Sequence, residues 1–116
     1  MSVMIPEIDW QRVDDLAVEI GADAVVEVVA MFLEETDEVI GRLERDTPST
    51  EDFHFLKGSA LNLGLRSLTN LCERGEAETR AGPVQTDTCA QVIADYARSK
   101  AALMAGITTR FDAPDA

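Results

Sequence analysis

From Asp23 to Asp46 the residues Val26, Val29, Phe32, Leu33, Thr36, Val39, Ile40 and Leu43 recur at spacings of three and four, which lays one stripe along a helix of about six turns. A helix that long with a single apolar stripe must bury it against other elements. The same spacing returns in the other segments, and strand-like alternation appears in none. Asp9 caps a first, short helix carrying Val13, Leu16, Ala17 and Ile20, and Gly21 stops it. The long second helix ends at Asp46-Thr47-Pro48. Ser49 or Thr50 caps a third helix with Glu51 and Asp52 in its first turn, where the helix dipole favours negative charge, and Gly64 ends it. A fourth begins around Arg66 or Ser67, presents Leu68, Leu71, Cys72 and Gly75, and breaks at Gly82-Pro83. The fifth carries Cys89, Val92, Ile93, Tyr96, Leu103 and Ile107. Short connections between long helices make neighbours antiparallel. The expected fold is all-α: an antiparallel up-down four-helix bundle with a short additional N-terminal helix across one end. It forms a single domain over 1–116, frayed at about 1–7 and 111–116.

With 116 residues and 46% apolar side chains the chain suits one globular domain. Its charge is less ordinary: 22 acidic against 10 basic residues, net −12. Residues 1–52 carry 15 acidic and 3 basic residues, whereas 53–116 carry 7 of each. Such a balance argues against a nucleic-acid backbone or an anionic membrane surface as partner. The longest apolar run, Val28 to Leu33, is far short of the roughly 20 residues that span a bilayer, and the N-terminus lacks the pattern of a secretory signal. The expected location is cytoplasmic. Cys72 and Cys89 form no Cys-x-x-Cys pair and read as reduced core residues. One histidine, His54, and no His/Cys cluster make a zinc site untenable, so no metal ligands are expected.

The third helix departs from simple amphipathicity. On a wheel of about 100° per residue, Phe53, Leu56, Ala60 and Leu63 make the face that packing buries. His54, Gly58, Leu61 and Leu65 make a second apolar face, with Lys57 at its border one turn from the histidine. Apolar residues pointing outward need a partner, either another helix of the chain or another protein. A neutral imidazole has a nucleophilic ring nitrogen that can attack phosphorus, a lysine one turn along can hold phosphoryl oxygens, and a glycine leaves room for both.

The run His54-Phe55-Leu56-Lys57-Gly58-Ser59-Ala60-Leu61-Asn62-Leu63-Gly64 resembles the phosphorylation-site helix of histidine-containing phosphotransfer (HPt) domains. Weaker similarity extends through Leu68, Leu71, Cys72 and Glu73, and back through Ile8-Asp9, Ile20-Gly21-Ala22-Asp23 and Phe32-Leu33-Glu34-Glu35. The resemblance implies a bundle that relays phosphate from the aspartate of one receiver domain, often within a hybrid sensor histidine kinase, to that of another. It implies His54 as phosphoacceptor through Nε2, Lys57 as the phosphate-stabilising cation and Gly58 as the clearance residue. In some members a carboxylate on the following helix holds Nδ1, and Glu76, 22 residues after His54, is the candidate. Taken alone, Glu76 and Arg80 read as solvated helix charges. Phe55, Leu61, Asn62 and Leu65 are the candidate partner-binding residues. Phe53 stands where members often have alanine.

No Walker A sequence and no Gly-x-Gly-x-x-Gly loop is present, so phosphate must come from another protein, and the chain is expected to be a phosphocarrier without autokinase activity. The receiver brings its own aspartate and Mg²⁺; no cofactor is expected on this chain, which is read as a monomer. The alternative is a helical adaptor that docks a receiver or another signalling protein without being phosphorylated.

Overall fold

Helix formation follows the caps and breaks of the sequence closely. The computed structural model describes residues 7–45 and 47–111. It contains α1 (Trp10–Ile20), α2 (Ala22–Arg45), α3 (Thr50–Leu63), α4 (Arg66–Ala81) and α5 (Thr86–Phe111). The Asp9 side chain accepts from Arg12 N at the start of α1, and Gly21 ends that helix at φ 96°. At α3, Ser49 and Asp52 form a reciprocal capping box: Asp52 N donates to Ser49 Oγ at 3.1 Å and Ser49 N to Asp52 Oδ2 at 3.0 Å. These bonds satisfy donors that the helix cannot.

The long helices α2 and α5 pack on each other, and the shorter α3 and α4 complete the bundle, α3 packing on α2 and α4 while α4 packs on α5. At 24 and 26 residues, α2 and α5 exceed α3 and α4, at 14 and 16, by about 15 Å. The short α1 lies on the end they overhang, in contact with α2 and α3. The Trp10 ring occupies the space over Gly106 of α5, and Arg110 stacks on the indole at 4.6 Å while pairing with Asp14 at 3.1 Å. The architecture is the expected bundle with its extra N-terminal helix. Its core is continuous, running from Val13 and Leu16 through Val25, Val29 and Leu33 to Leu56, Leu68, Val92 and Leu103.

The free thiol of Cys72 is buried in this core and pushed up to about 12, by burial first and then by the Asp95 and Glu76 charges, which leaves it unreactive. The acidic residues Glu27, Glu34, Glu35, Asp37 and Glu38 of α2 are exposed.

One expectation is corrected. Of the ends expected to fray only Glu7 and Phe111 are described: the Glu7 carbonyl accepts from Arg66 N at 2.9 Å, and Phe111 is the last residue of α5. Residues 1–6, 46 and 112–116 lie outside the described residues. Leu65 does not extend the outward face of α3. Gly64 adopts the left-handed conformation at φ 74°, the helix stops, and Leu65 turns inward to 1% exposure, bridged to Ile8.

Candidate phosphotransfer site

The site is built where α3 and α4 approach closely. Phe53 is wholly buried, and its ring lies against the bare backbone of Gly75: a Cβ there would sit 2.6 Å from two ring carbons. The bulk at Phe53 is thus matched by the missing side chain at Gly75. One residue further on each helix, the same approach brings His54 beside Glu76. Thr50 Oγ1 and Thr79 Oγ1, 2.8 Å apart, close the seam toward the end of α4.

Glu76 is 2% exposed and collects three partners. His54 Nδ1 lies 3.1 Å from Oε1, Arg80 Nη2 lies 2.7 Å from the same oxygen, and Lys57 Nζ lies 2.7 Å from Oε2. The Lys57 ammonium above all, then the His54 hydrogen bond and the Arg80 charge, hold the Glu76 carboxyl below its ordinary range despite burial. An ionised carboxylate only accepts, so Nδ1 donates, and in the neutral ring this fixes the Nδ1–H tautomer, with the lone pair on Nε2. The imidazole is 71% exposed, and Nε2 has no partner among the described residues. This arrangement presents an oriented ring nitrogen to solvent, with a lysine one turn away on the same helix.

The surroundings sort the remaining candidates. A Cβ built at Gly58 meets nothing within 4 Å, so close packing inside the chain does not account for that glycine. Leu61 is 57% and Phe55 38% exposed, and Asn62 is exposed with its carbonyl accepting from Arg12 Nε at 3.2 Å. His54, Phe55, Gly58, Leu61 and Asn62 therefore share the outer side of α3, and Leu65 leaves it. Of the two residues that taken alone read as solvated charges, Glu76 is buried at the position the resemblance offered for the Nδ1 partner, whereas Arg80 stays 66% exposed, bonded to Glu76 across one turn of α4 while lining an open cleft with Thr50, Glu51, His54 and Phe55. The available signal was the Glu76-x-x-x-Arg80 spacing taken together with the 22 residues from His54.

The Hpt domain family model matches residues 27–102, most of the bundle and all of the seam between α3 and α4. The chain belongs to the Hpt domain family. Neither a curated protein nor a solved structure matches it. Hpt domains are helical phosphocarriers of two-component signalling that interact with receiver domains in phosphorelays, so histidine phosphotransfer is the general function of this chain. Among the described residues, no three His, Cys, Asp or Glu side chains converge to hold a metal ion, and no helix is long and apolar enough to cross a membrane.

Proposed function

We propose that this Hpt domain accepts a phosphoryl group on His54 Nε2 from the aspartyl phosphate of a receiver domain and delivers it to the aspartate of another. The observation that carries this reading is the bond from Nδ1 to buried Glu76 beneath an exposed ring. In the forward step the Nε2 lone pair forms the N–P bond as the P–O bond to the aspartate breaks, and the carboxylate leaves with the electron pair. Nδ1 keeps its proton, so the phosphorylated ring is cationic, and the Glu76 carboxylate stabilises that charge. Lys57 meets the phosphoryl oxygens, and the space at Gly58 admits the receiver. Phe55, Leu61 and Asn62 form the docking surface around the histidine.

The chain acts as a monomeric cytoplasmic carrier without autokinase activity. Its partners are a hybrid sensor kinase and response-regulator receivers, and the Mg²⁺ of the reaction belongs to the receiver. Incubation with a phosphorylated receiver is expected to place acid-labile, alkali-stable phosphate on the wild type and none on His54→Gln. A wild type that binds the receiver but never labels identifies an unphosphorylated adaptor instead.

A further inference from the structure

Two cations share one buried carboxylate, and they do so unequally. Lys57 meets Oε2 as an ion pair at 2.7 Å, and that oxygen accepts no hydrogen bond from the described residues, whereas Arg80 and the His54 Nδ1–H both sit on Oε1. With a neutral imidazole the cluster of Glu76, Lys57 and Arg80 carries one charge of +1, and transfer of a PO₃⁻ unit to Nε2 neutralises it. Turning toward the phosphoryl oxygens draws Lys57 away from Oε2, now 2.7 Å from its Nζ. Leaving a buried carboxylate without a counter-charge is strongly unfavourable. The lysine is a point charge on a flexible stem and can swing from one anion to the other. The arginine is anchored on the same helix as Glu76, one turn away, and its departure would disturb the oxygen that orients the imidazole.

We infer that Arg80 is a positioning residue, the standing counter-cation of Glu76 that releases Lys57 to exchange the carboxylate for the phosphoryl group while Oε1 continues to hold Nδ1. The inference rests on His54 being the phosphoacceptor. It makes the ion pair on α4 part of the transfer cycle, where an exposed Arg–Glu pair would ordinarily contribute little. Without Arg80, Lys57 is the only close cation left to Glu76 until transfer makes the ring cationic, and it is held there as the receiver approaches.

The test charges a receiver domain with acetyl phosphate and follows labelling of wild type, Arg80→Gln, Arg80→Lys, Lys57→Ala and the Lys57→Ala/Arg80→Gln double variant. Arg80→Gln is expected to slow labelling on the order of tenfold. Arg80→Lys should recover most of the rate. Removing Lys57 in the Arg80→Gln background should slow labelling less than it does in the wild type, because the lysine is already held back. In urea the double variant should lose more midpoint than the two single variants together, since only there is Glu76 left without a cation. Arg80→Gln labelling at the wild-type rate, or additive effects in the double variant, would overturn the inference while leaving His54 as acceptor. A wild type that never labels removes the phosphoacceptor reading and this one with it. Should Arg80→Gln fail to fold, ¹⁵N spectra of the wild type decide: phosphorylation should shift the Lys57 Nζ signal and leave the Arg80 guanidinium signal in place, and an Arg80 signal that moves with Lys57 sinks the inference.

Discussion

Gly58 and Gly75 face different surroundings. A methyl group at Gly58 would meet nothing within 4 Å, whereas at Gly75 it would enter the ring of Phe53. Gly58→Ala is therefore expected to stabilise the fold by about 1 kcal/mol through helix propensity. A larger side chain, as in Gly58→Leu, should keep the fold and slow phosphotransfer, because the volume it fills is the receiver's. Gly75→Ala should cost about 1–3 kcal/mol through overpacking, and Phe53→Leu in the same chain should recover part of that loss. Urea denaturation of the four variants, paired with labelling rates for the Gly58 variants, measures both effects. The role of a glycine is the least legible property of a residue in sequence. The letter is the same whether the missing side chain serves a neighbouring ring or open space.

Helix α3 shows how an end can reassign a face. Its start was legible because Ser49 and Asp52 are local partners, three residues apart. Its wheel was legible as far as Leu63. Beyond Gly64 the wheel no longer applies, and Leu65 becomes part of the core although its spacing from Leu61 suggests a common surface. The two leucines should respond oppositely. Leu65→Ala is expected to cost about 2–5 kcal/mol, the range for truncating a buried leucine. Leu61→Ala should stay within about 0.5 kcal/mol of the wild type and slow labelling by a phosphorylated receiver. Equal denaturation midpoints for the two variants would contradict the inward turn of Leu65.

Across the molecule, the net charge of −12 coexists with ion pairs that bind its helices. Lys100 reaches Asp37 of α2 at 2.8 Å, Arg42 joins α2 to Asp52 at 3.1 Å, and Glu78 accepts from Gln85 N and Thr88 Oγ1 to fix the turn between α4 and α5. Asp9, Asp37, Asp52, Glu76 and Glu78 are all held below their ordinary values, by hydrogen bonds and nearby cations that outweigh burial. The folded chain thus binds fewer protons than the unfolded one in the carboxylate range. The stabilisation is complete above the ordinary values of 3.8 for Asp and 4.5 for Glu, and it is lost as pH falls through the lower folded values. Relief of repulsion along the acidic face of α2 opposes this loss, but those side chains are exposed and screened over about 8 Å at physiological salt. The urea midpoint in 0.15 M salt, about physiological ionic strength, is therefore expected to fall between neutral pH and acid. A midpoint that rises on acidification would show that repulsion outweighs the pairs.

Helix number, helix limits, the buried stripe of α2 from Val29 to Leu43 and the histidine–lysine–glycine pattern of α3 were legible in the sequence, because caps and three-to-four spacing act between residues within a turn or two of each other, although at the start of the stripe Val25 is buried in place of Val26. Burial of Glu76, the place of Arg80 and the inward turn of Leu65 were not. Each depends on how closely separate segments approach, and for the site that distance is set where Phe53 lies on Gly75, two residues 22 apart on different helices. The sequence carries the chemistry of His54 on one helix. Packing of α4 against α3 turns Glu76 from a surface charge into the buried acceptor that orients it.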